Sequence, residues 1–314
     1  MSTEKVADRR GLKSTSRSWV MLASLAVVTV VGRNDLLSLL ELAFSNPEYS
    51  HILLVPPVVL TFVFLERRAP AENGHPSTIL GLLIAIAAAV AWLFARNFAG
   101  IDGLDLSIRV AALVLAVWAI VNVTYGWSFF RAALFPMLFL TLLIPWPASA
   151  VAKLTFALQW GSTMAAYWMF KISRVPVTRD GFVLSLPSMD IEVAKECSGI
   201  RSTVLLLVTA LVLGQWYLRS GWRKTLVAAA VFPIGVLRNG LRIYVLSMLA
   251  TYVDEGWLGG NLHHRGGVVF FALGLALVLL ILWILRRTGG EGSRTMARGV
   301  GGGMLAGSSN PPRT

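Results

Sequence analysis

Runs of apolar residues recur along the whole chain, and several approach or exceed the length that a helix needs to cross a bilayer. Hydrophobic residues make up 56% of the 314 residues and charged residues only 14%. A bilayer accepts such apolar surface on helices, because their backbone hydrogen bonds are satisfied within each helix. We therefore predict an all-α polytopic integral membrane protein with about eight transmembrane helices. The predicted spans cover residues 18–32, 52–65, 78–95, 107–125, 129–147, 200–218, 225–250 and 267–285.

The positions of the basic residues predict the orientation of these spans. The net charge is +12, but Lys and Arg lie mainly between and beside the apolar runs, so nucleic acid is not an expected partner. With eight crossings and the N-terminus in the cytoplasm, the inside segments hold 16 basic residues and the outside segments ten. The strongest clusters, 67–68, 219–224 and 286–287, all fall inside, as the positive-inside rule expects. We predict a multi-pass protein of the cytoplasmic (inner) membrane.

The segments outside the spans have their own signatures. Residues 1–18 are polar and basic and predict a cytoplasmic tail, and residues 288–314 are rich in Gly, Ser and Arg and predict a disordered tail. The segment 153–171 is rich in aromatic residues and has Lys at both ends, which favours an interfacial or re-entrant helix. Proline and glycine interrupt short apolar runs in 175–193, which predicts a small extracytoplasmic hairpin. The predicted membrane domain extends over residues 19–287.

Cys197 is the only cysteine, and it lies where a polar segment meets the sixth predicted span. The predicted topology places it at the outer surface of the membrane. Neighbouring Lys195 and Arg201, together with a helix N-terminus, favour the thiolate over the thiol. A lone cysteine is nevertheless more often a small buried residue than a nucleophile, so a catalytic interpretation needs partners.

Three kinds of side chain converge on the outer face in this topology. Arg242 lies within the seventh span, near its outer end, and the eighth span starts just after His263 and His264. A histidine can accept the thiol proton and return a proton to a leaving amine, and a guanidinium can stabilise a thiolate or an oxyanion. Cysteine, arginine and histidine are therefore sufficient for peptide-bond cleavage through a thioester. Arg238 lies four residues before Arg242 and shares its helical face.

Simpler interpretations of these residues stay open. Arg238 and Arg242 can be counter-ions for Glu192, Glu196 or Asp254, or can bind lipid headgroups. The adjacent histidines lack the spacing of known zinc motifs, so we predict no metal and no other cofactor.

Three short blocks stand in this order along the chain: Glu196-Cys-Ser-Gly-Ile-Arg-Ser202, Asn239-Gly-Leu-Arg-Ile243, and His263-x-x-x-Gly267 followed by Val-Val-Phe-Phe. They resemble the signature blocks of the exosortase/archaeosortase family of polytopic membrane enzymes. An earlier block, Tyr49-Ser-His-Ile-Leu-Leu-Val-Pro56 with Glu66-Arg-Arg68 after it, resembles the N-terminal segment of the family, with Ile52 in place of the usual glycine.

The resemblance implies roles for individual residues. Cys197 is the implied nucleophile, Arg242 the stabiliser of the oxyanion or thiolate, and His263 the acid/base. His264 takes that last role if the register is off by one. Four further residues are expected to support the site: Ser198, Gly199, Arg238 and Asn239.

The resemblance also implies an activity and partners. It implies a cysteine protease or transpeptidase that cleaves a C-terminal sorting signal, of the PEP-CTERM type, from exported proteins and passes them to an acceptor. The expected partners are exported proteins with a C-terminal transmembrane sorting signal, and membrane lipid. Two other classes remain as alternatives: a transporter that binds an anionic small molecule through its intramembrane arginines, and a membrane enzyme that processes lipid-linked glycans.

Overall fold

The computed structural model describes residues 2–65, 76–252 and 261–288, with side chains for 16–64, 76–195, 198–252 and 267–288. The chain divides into two compact units, Met1–Thr155 and Phe156–Thr314, and the division falls within one helix. The last described helix ends at Thr288. The rest of the tail that the sequence predicts to be disordered lies outside the described residues.

Unit 1 is built from helices. Its elements in chain order are α1 (Ser2–Val31), α2 (Arg33–Ser45), a 3-10 helix (Pro47–Leu54), α3 (Val55–Leu65), α4 (Thr78–Phe94), a 3-10 turn (Ala95–Phe98), α5 (Leu104–Thr124), α6 (Trp127–Ala132), α7 (Leu134–Phe139) and a 3-10 turn (Leu140–Leu143). The predicted spans 78–95 and 107–125 correspond to α4 and α5. The predicted span 52–65 begins earlier in the structure, because the 3-10 helix extends it to Pro47–Phe64.

The N-terminal region differs from the prediction in two ways. Helix α1 starts at Ser2, so the backbone of the predicted tail is helical from that residue onward; its cytoplasmic location stays a prediction. Helix α2 was not predicted, and it bends away from the helical segment Ser16–Val31 by 70°. Polar residues at 33–35 interrupt the apolar pattern at this bend, which is why the sequence indicated an end of the span there.

The predicted fifth span, residues 129–147, is not one continuous helix. The segment is broken into α6, α7 and a 3-10 turn. Ile144 has extended backbone angles (φ −68°, ψ 112°), as expected for a residue before a proline, and Pro145 and Pro147 follow it. The segment Leu134–Leu143 meets the next helix at an angle of 96°. The stretch is therefore not one continuous helix, because Pro136, Pro145 and Pro147 interrupt the helical hydrogen bonds, and its apolar composition masked them.

Helices α4 and α5 pack closely in unit 1, and glycine permits the approach. A Cβ atom at Gly81 would lie 3.0 Å from the backbone nitrogen of Val123 and 3.1 Å from the carbonyl oxygen of Ala119. Small residues allow such backbone contact between membrane helices. The Cβ atom that any other residue would add at position 81 has no free space.

A polar cluster lies at the other end of this helix pair. Arg109 Nε on α5 lies 3.0 Å from Asp35 Oδ1 on α2, and Trp92 Nε1 on α4 donates to Asp35 Oδ2 at 3.0 Å. Asp35 is 9% exposed, so its charge has little contact with solvent and depends on these partners. Asp35, one of the polar residues that ended the first predicted span, thus connects α2 to α4 and α5.

Unit 2 combines long helices with a small sheet. Helix α8 (Ala148–Ile172) leads into it, followed by β1 (Thr178–Asp180), β2 (Val183–Ser185), β3 (Asp190–Glu192), a 3-10 turn (Lys195–Ser198), α9 (Ile200–Tyr217), α10 (Gly221–Tyr252) and α11 (Asn261–Thr288). The strands are antiparallel in the order β1-β2-β3. The predicted hairpin in 175–193 is thus present, with a third strand added. The predicted helix 153–171 lies within α8, and its interfacial or re-entrant placement stays a prediction.

Two apolar cores stabilise unit 2. Helices α9, α10 and α11 share the first, whose buried members are Leu206, Ala210, Leu218, Val227, Val231, Ile234, Val278 and Leu282. The second core packs the sheet against α8 and α10, through buried residues such as Leu184, Phe170 and Ile243. The sheet is therefore fixed to the helix that precedes it and to one that follows it.

The helices have the length and apolarity of membrane spans. Within the described residues, six helical segments are long and apolar enough to cross a bilayer, and the number reaches eight if each of the two bent pairs is one span. Their outward surfaces carry large apolar side chains, for example Ile79 (79% exposed) and Val268 (73% exposed). Lipid is the environment that such surfaces need. The prediction of an all-α polytopic membrane protein is confirmed.

The approach of α4 to α5 predicts the effect of a single methyl group. We expect Gly81→Ala to lower the free energy of unfolding by about 1–3 kcal/mol, because the new Cβ would press on the backbone of α5. The measurement is thermal unfolding in detergent. Leu82→Ala is the matched control, since this side chain is 59% exposed; we expect it to change stability by less than about 0.5 kcal/mol. Equal stabilities for the two variants would contradict the packing.

Candidate active site

The segment that carries Cys197 is a tight connection between the sheet and a helix. Strand β3 ends at Glu192, the 3-10 turn Lys195–Ser198 contains Cys197, and α9 begins at Ile200. Gly199 joins the turn to the helix with a positive φ of 74°. Glycine adopts this left-handed conformation without the steric cost that a Cβ atom imposes. The backbone therefore turns at Gly199 and places Cys197 just before the N-terminus of α9.

Gly199 also lies directly against helix α10. A Cβ atom at this position would be 3.1 Å from Asn239 Cγ and 3.2 Å from Asn239 Oδ1. Asn239 is buried (3% exposed). The sequence block that contains Cys197 thus meets the block that contains Arg242, although about 40 positions separate the two. A glycine at position 199 serves both the backbone turn and this approach.

The side chain of Arg238 is buried where α9, α10 and α11 meet. It is 4% exposed, and Nη2 donates a hydrogen bond to Ser202 Oγ on α9. On α11, a Cβ atom at Gly274 would lie 3.1 Å from Arg238 Cδ, so the absence of a side chain there makes room for the guanidinium. Nη1 has no hydrogen-bond partner in the described part of the chain. This is a buried positive charge with unused donor capacity.

No described carboxylate forms an ion pair with Arg238. Of the three acidic residues that the sequence offered as counter-ions, Glu192 is exposed on β3. The side chain of Glu196 and the whole of Asp254 lie outside the described residues. A buried guanidinium without a counter-ion is costly in free energy, so its charge favours an anion nearby.

Arg238 on α10 contacts α9 and α11, so its side chain marks the same height along the axes of all three helices. The other predicted site residues lie beyond this height, towards one end of the bundle. Arg242 is partly buried and lies about 6 Å further along α10, at ~1.5 Å per residue. Cys197 lies in the same direction from Ser202, because α9 begins at this end. The arginines and the cysteine therefore lie towards one end of the α9–α11 bundle.

The histidines lie at the start of α11. The backbones of His263 and His264 form the first turn of this helix, and their side chains lie outside the described residues. At ~1.5 Å per residue, His263 is about 16 Å from Gly274 along the helix axis. Helix α11 runs antiparallel to α10, so this first turn lies at the same end of the bundle as Arg242.

Ser198 adds a further unsatisfied polar group beside Cys197. Its side chain is 1% exposed, and Oγ has no hydrogen-bond partner among the described residues. Most buried hydroxyl groups in proteins are hydrogen-bonded, so this one needs an explanation. A hydroxyl next to a thiol can donate a hydrogen bond to a bound polar group or accept one from it.

Helix α8 contributes polar residues that the sequence analysis did not assign to the site. Gln159 is buried, and its Nε2 donates to the carbonyl oxygen of Val193 at 2.6 Å, just before the Cys197 turn. Ser162 is fully buried, and its carbonyl oxygen would lie 3.1 Å from a Cβ atom at Gly240. The signal in the sequence was a pair of polar residues three positions apart in an aromatic-rich helix. Helix α8 thus positions the segment that leads to Cys197.

The N-terminal block that resembles the family lies in unit 1. Tyr49 is buried, and its hydroxyl donates to the carbonyl oxygen of Trp146 at 2.8 Å. His51 Nδ1 lies 3.2 Å from the carbonyl oxygen of Glu48. Ile52, which replaces the usual glycine, is 2% exposed in the 3-10 helix. These residues have structural contacts within their unit, and residues 66–68 lie outside the described residues.

The sequence model of the transmembrane exosortase family matches residues 43–280, which is more than half of the chain and includes all the predicted site residues. No curated protein and no solved structure matches the chain.

The environment of Arg238 predicts the outcome of a double-mutant cycle. We expect Ser202→Ala to cost about 1–3 kcal/mol of stability, because both terminal nitrogens of a buried guanidinium then lack partners. In the Arg238→Met background the same change should cost less, since only the hydrogen bond from Ser202 Oγ to Gly199 O is then lost. Thermal unfolding in detergent measures both. Thr209→Ala is the control on the same helix, because Thr209 Oγ1 donates only to Leu205 O. Equal costs in the two backgrounds would contradict the interaction.

Proposed function

The chain belongs to the transmembrane exosortase family, and we propose that it cleaves a C-terminal sorting signal from exported proteins through a thioester on Cys197. Its class as a membrane transpeptidase or protease of the exosortase type follows from the family. The observation that best supports Cys197 as nucleophile is its position on a tight turn whose glycine touches Asn239, in the helix that carries Arg238 and Arg242.

The electrostatics of this turn favour a thiolate. Helix α9 directs its N-terminal N–H groups towards the turn, and the partial positive charge of a helix N-terminus stabilises an anion. Lys195 and Arg201 flank Cys197 in the sequence, and the two arginines of α10 lie on the adjacent helix. The acidic residues near the turn are fewer, namely Glu192 and Glu196. This excess of positive charge supports the ionised form of the cysteine.

The proposed reaction has two halves. The Cys197 thiolate attacks the carbonyl carbon of the scissile peptide bond, and Arg242 stabilises the oxyanion. The carbon–nitrogen bond then breaks, His263 gives its proton to the departing amine, and the substrate remains as a thioester on Cys197. In the second half, water or an amine attacks the thioester, His263 accepts its proton, and the thiolate leaves. Hydrolysis gives a free carboxylate, and attack by an amine gives transfer to an acceptor.

The membrane supplies a route for the substrate. A sorting signal with its own transmembrane helix diffuses laterally in the bilayer to the helices of the enzyme. Its cleavage motif then lies above the bilayer, next to the strands β1–β3. In this proposal the site faces the periplasm or exterior of the cytoplasmic membrane, which is the side that exported proteins reach. The partners are these exported proteins and the surrounding lipid.

Removal of the nucleophile tests the proposal in cells. We expect Cys197→Ala to abolish cleavage of a reporter that carries a C-terminal transmembrane sorting signal, with at least a ~10³-fold loss, because no thioester can form. The measurement is the ratio of full-length to cleaved reporter on an immunoblot. Thr209→Ala serves as a control for membrane insertion. Undiminished cleavage by the Cys197→Ala variant would rule out the thioester mechanism.

The two adjacent histidines can be separated by the same assay. We expect His263→Ala to slow cleavage by about 10²–10⁴-fold, the usual contribution of a general acid–base, and His264→Ala to have a small effect. Arg242→Lys should also be strongly impaired, because an ammonium does not reproduce the planar donors of a guanidinium. The reverse result for the histidines would assign the acid–base role to His264.

A further inference from the structure

Strand β3 ends shortly before the Cys197 turn, and its register shows which of its backbone groups are used. In an antiparallel pair, residues that bond to the neighbouring strand recur at every second position. Val193 N–H donates to Phe182 O at 3.0 Å, and Met189 O accepts from Leu186 N–H at 2.9 Å. The residues that flank β3, Met189 and Val193, are thus bonded to the β2 side, and both have odd numbers.

The backbone N–H and C=O groups of the even-numbered residues of β3 point away from β2. Ile191, opposite Leu184, bonds towards β2, whereas the N–H groups of Asp190 and Glu192 point away from the sheet. No described residue accepts a backbone hydrogen bond from either N–H group, and both residues are exposed. The carbonyl oxygen of Glu192 accepts from Ala194 N–H at 3.1 Å. The outer edge of β3 therefore offers two free donors.

The position of this edge relative to Cys197 is restricted. The chain continues from Glu192 to Cys197 over five residues, a span of at most about 18 Å. The hydrogen bond from Gln159 to Val193 O holds the connection, and buried Leu184 and Val193 anchor the sheet in the second core of unit 2. A peptide paired with β3 and continued in the same direction would reach Cys197 within about five residues at strand spacing.

We infer that the free edge of β3 binds an extended segment of the protein substrate next to its scissile bond. The inference rests on the proposed function and adds the mode of recognition, in which the substrate becomes a fourth strand. Backbone hydrogen bonds of this kind supply affinity, and alternate side chains supply specificity. The charges along the edge favour a peptide without acidic residues opposite Asp190 and Glu192, because these exposed carboxylates would repel them. Exposed Lys195 attracts an acidic residue closer to the cysteine.

A methylation scan of the substrate tests the pairing on the unmodified enzyme. The probe is a synthetic peptide that covers the cleavage site of the reporter, methylated on one backbone nitrogen at a time, and the readout is the cleavage rate in detergent. Strand pairing predicts losses of about five- to tenfold at alternating positions, since every second N–H would be bonded. Uniform losses, or no loss, would overturn the inference. Cleavage of the same peptide by Cys197→Ala would instead overturn the proposed nucleophile, whatever the methylation pattern.

A pair of proline variants tests the edge from the side of the enzyme. Glu192→Pro removes an outward N–H without breaking a bond of the sheet, and proline is tolerated at such edge positions. We expect it to slow cleavage by about five- to tenfold. Arg179→Pro is the control on the opposite edge: Arg179 pairs with Leu184 across β1 and β2, so its N–H also points outward. Its effect is measured relative to Arg179→Ala, because the arginine side chain donates to Gly181 O and contacts Met164 Sδ. Equal effects of the two prolines, or none from Glu192→Pro, would contradict the role of β3.

Discussion

The burial of the Arg238 guanidinium constrains the arrangement of α9, α10 and α11. The Arg238 side chain is 4% exposed and is enclosed by all three helices. Ser202 on α9 accepts one of its hydrogen bonds, Gly274 on α11 leaves room for it, and α10 carries Arg238 itself. The cost of burying a charge without a carboxylate partner is large, and intramembrane charges are usually functional. In the proposed mechanism the function is electrostatic, because a positive charge below the Cys197 turn favours anions there.

The close approach of Gly199 to Asn239 connects this charge to the Cys197 turn. Because the turn at Gly199 fixes the start of α9, the position of Cys197 depends on the packing of α9 against α10. The hydrogen bond from Gln159 to Val193 O holds the other side of the same segment, and the sheet packs on α8 and α10. Cys197, the arginines and the strand edge therefore lie on one scaffold within unit 2, so a shift of α10 would disturb all of them.

Much of the fold could be predicted from the apolar runs. The helices α4, α5, α9, α10 and α11 follow from them directly, because length and hydropathy are sufficient to indicate a span. The break in 129–147 was missed because apolar composition outweighed Pro136, Pro145 and Pro147, and α2 was missed because its polar start resembles a loop. The candidate site residues were found from their chemistry and from the motifs around them. The contacts of Arg238 with α9 and α11, and the hydrogen bond from Gln159 to the Cys197 segment, depend on helix packing, which the order of residues does not reveal.

The proposed mechanism depends on an ionised Cys197 thiol that His263 supports at the outer face of the membrane. The most direct measurement is the rate at which a membrane-impermeant maleimide alkylates Cys197 in spheroplasts, as a function of pH, in the wild type and in His263→Ala. An ionised thiol that depends on His263 predicts fast labelling near neutral pH that slows in the variant. Labelling only after denaturation would show a buried structural cysteine and would contradict the proposed role of Cys197.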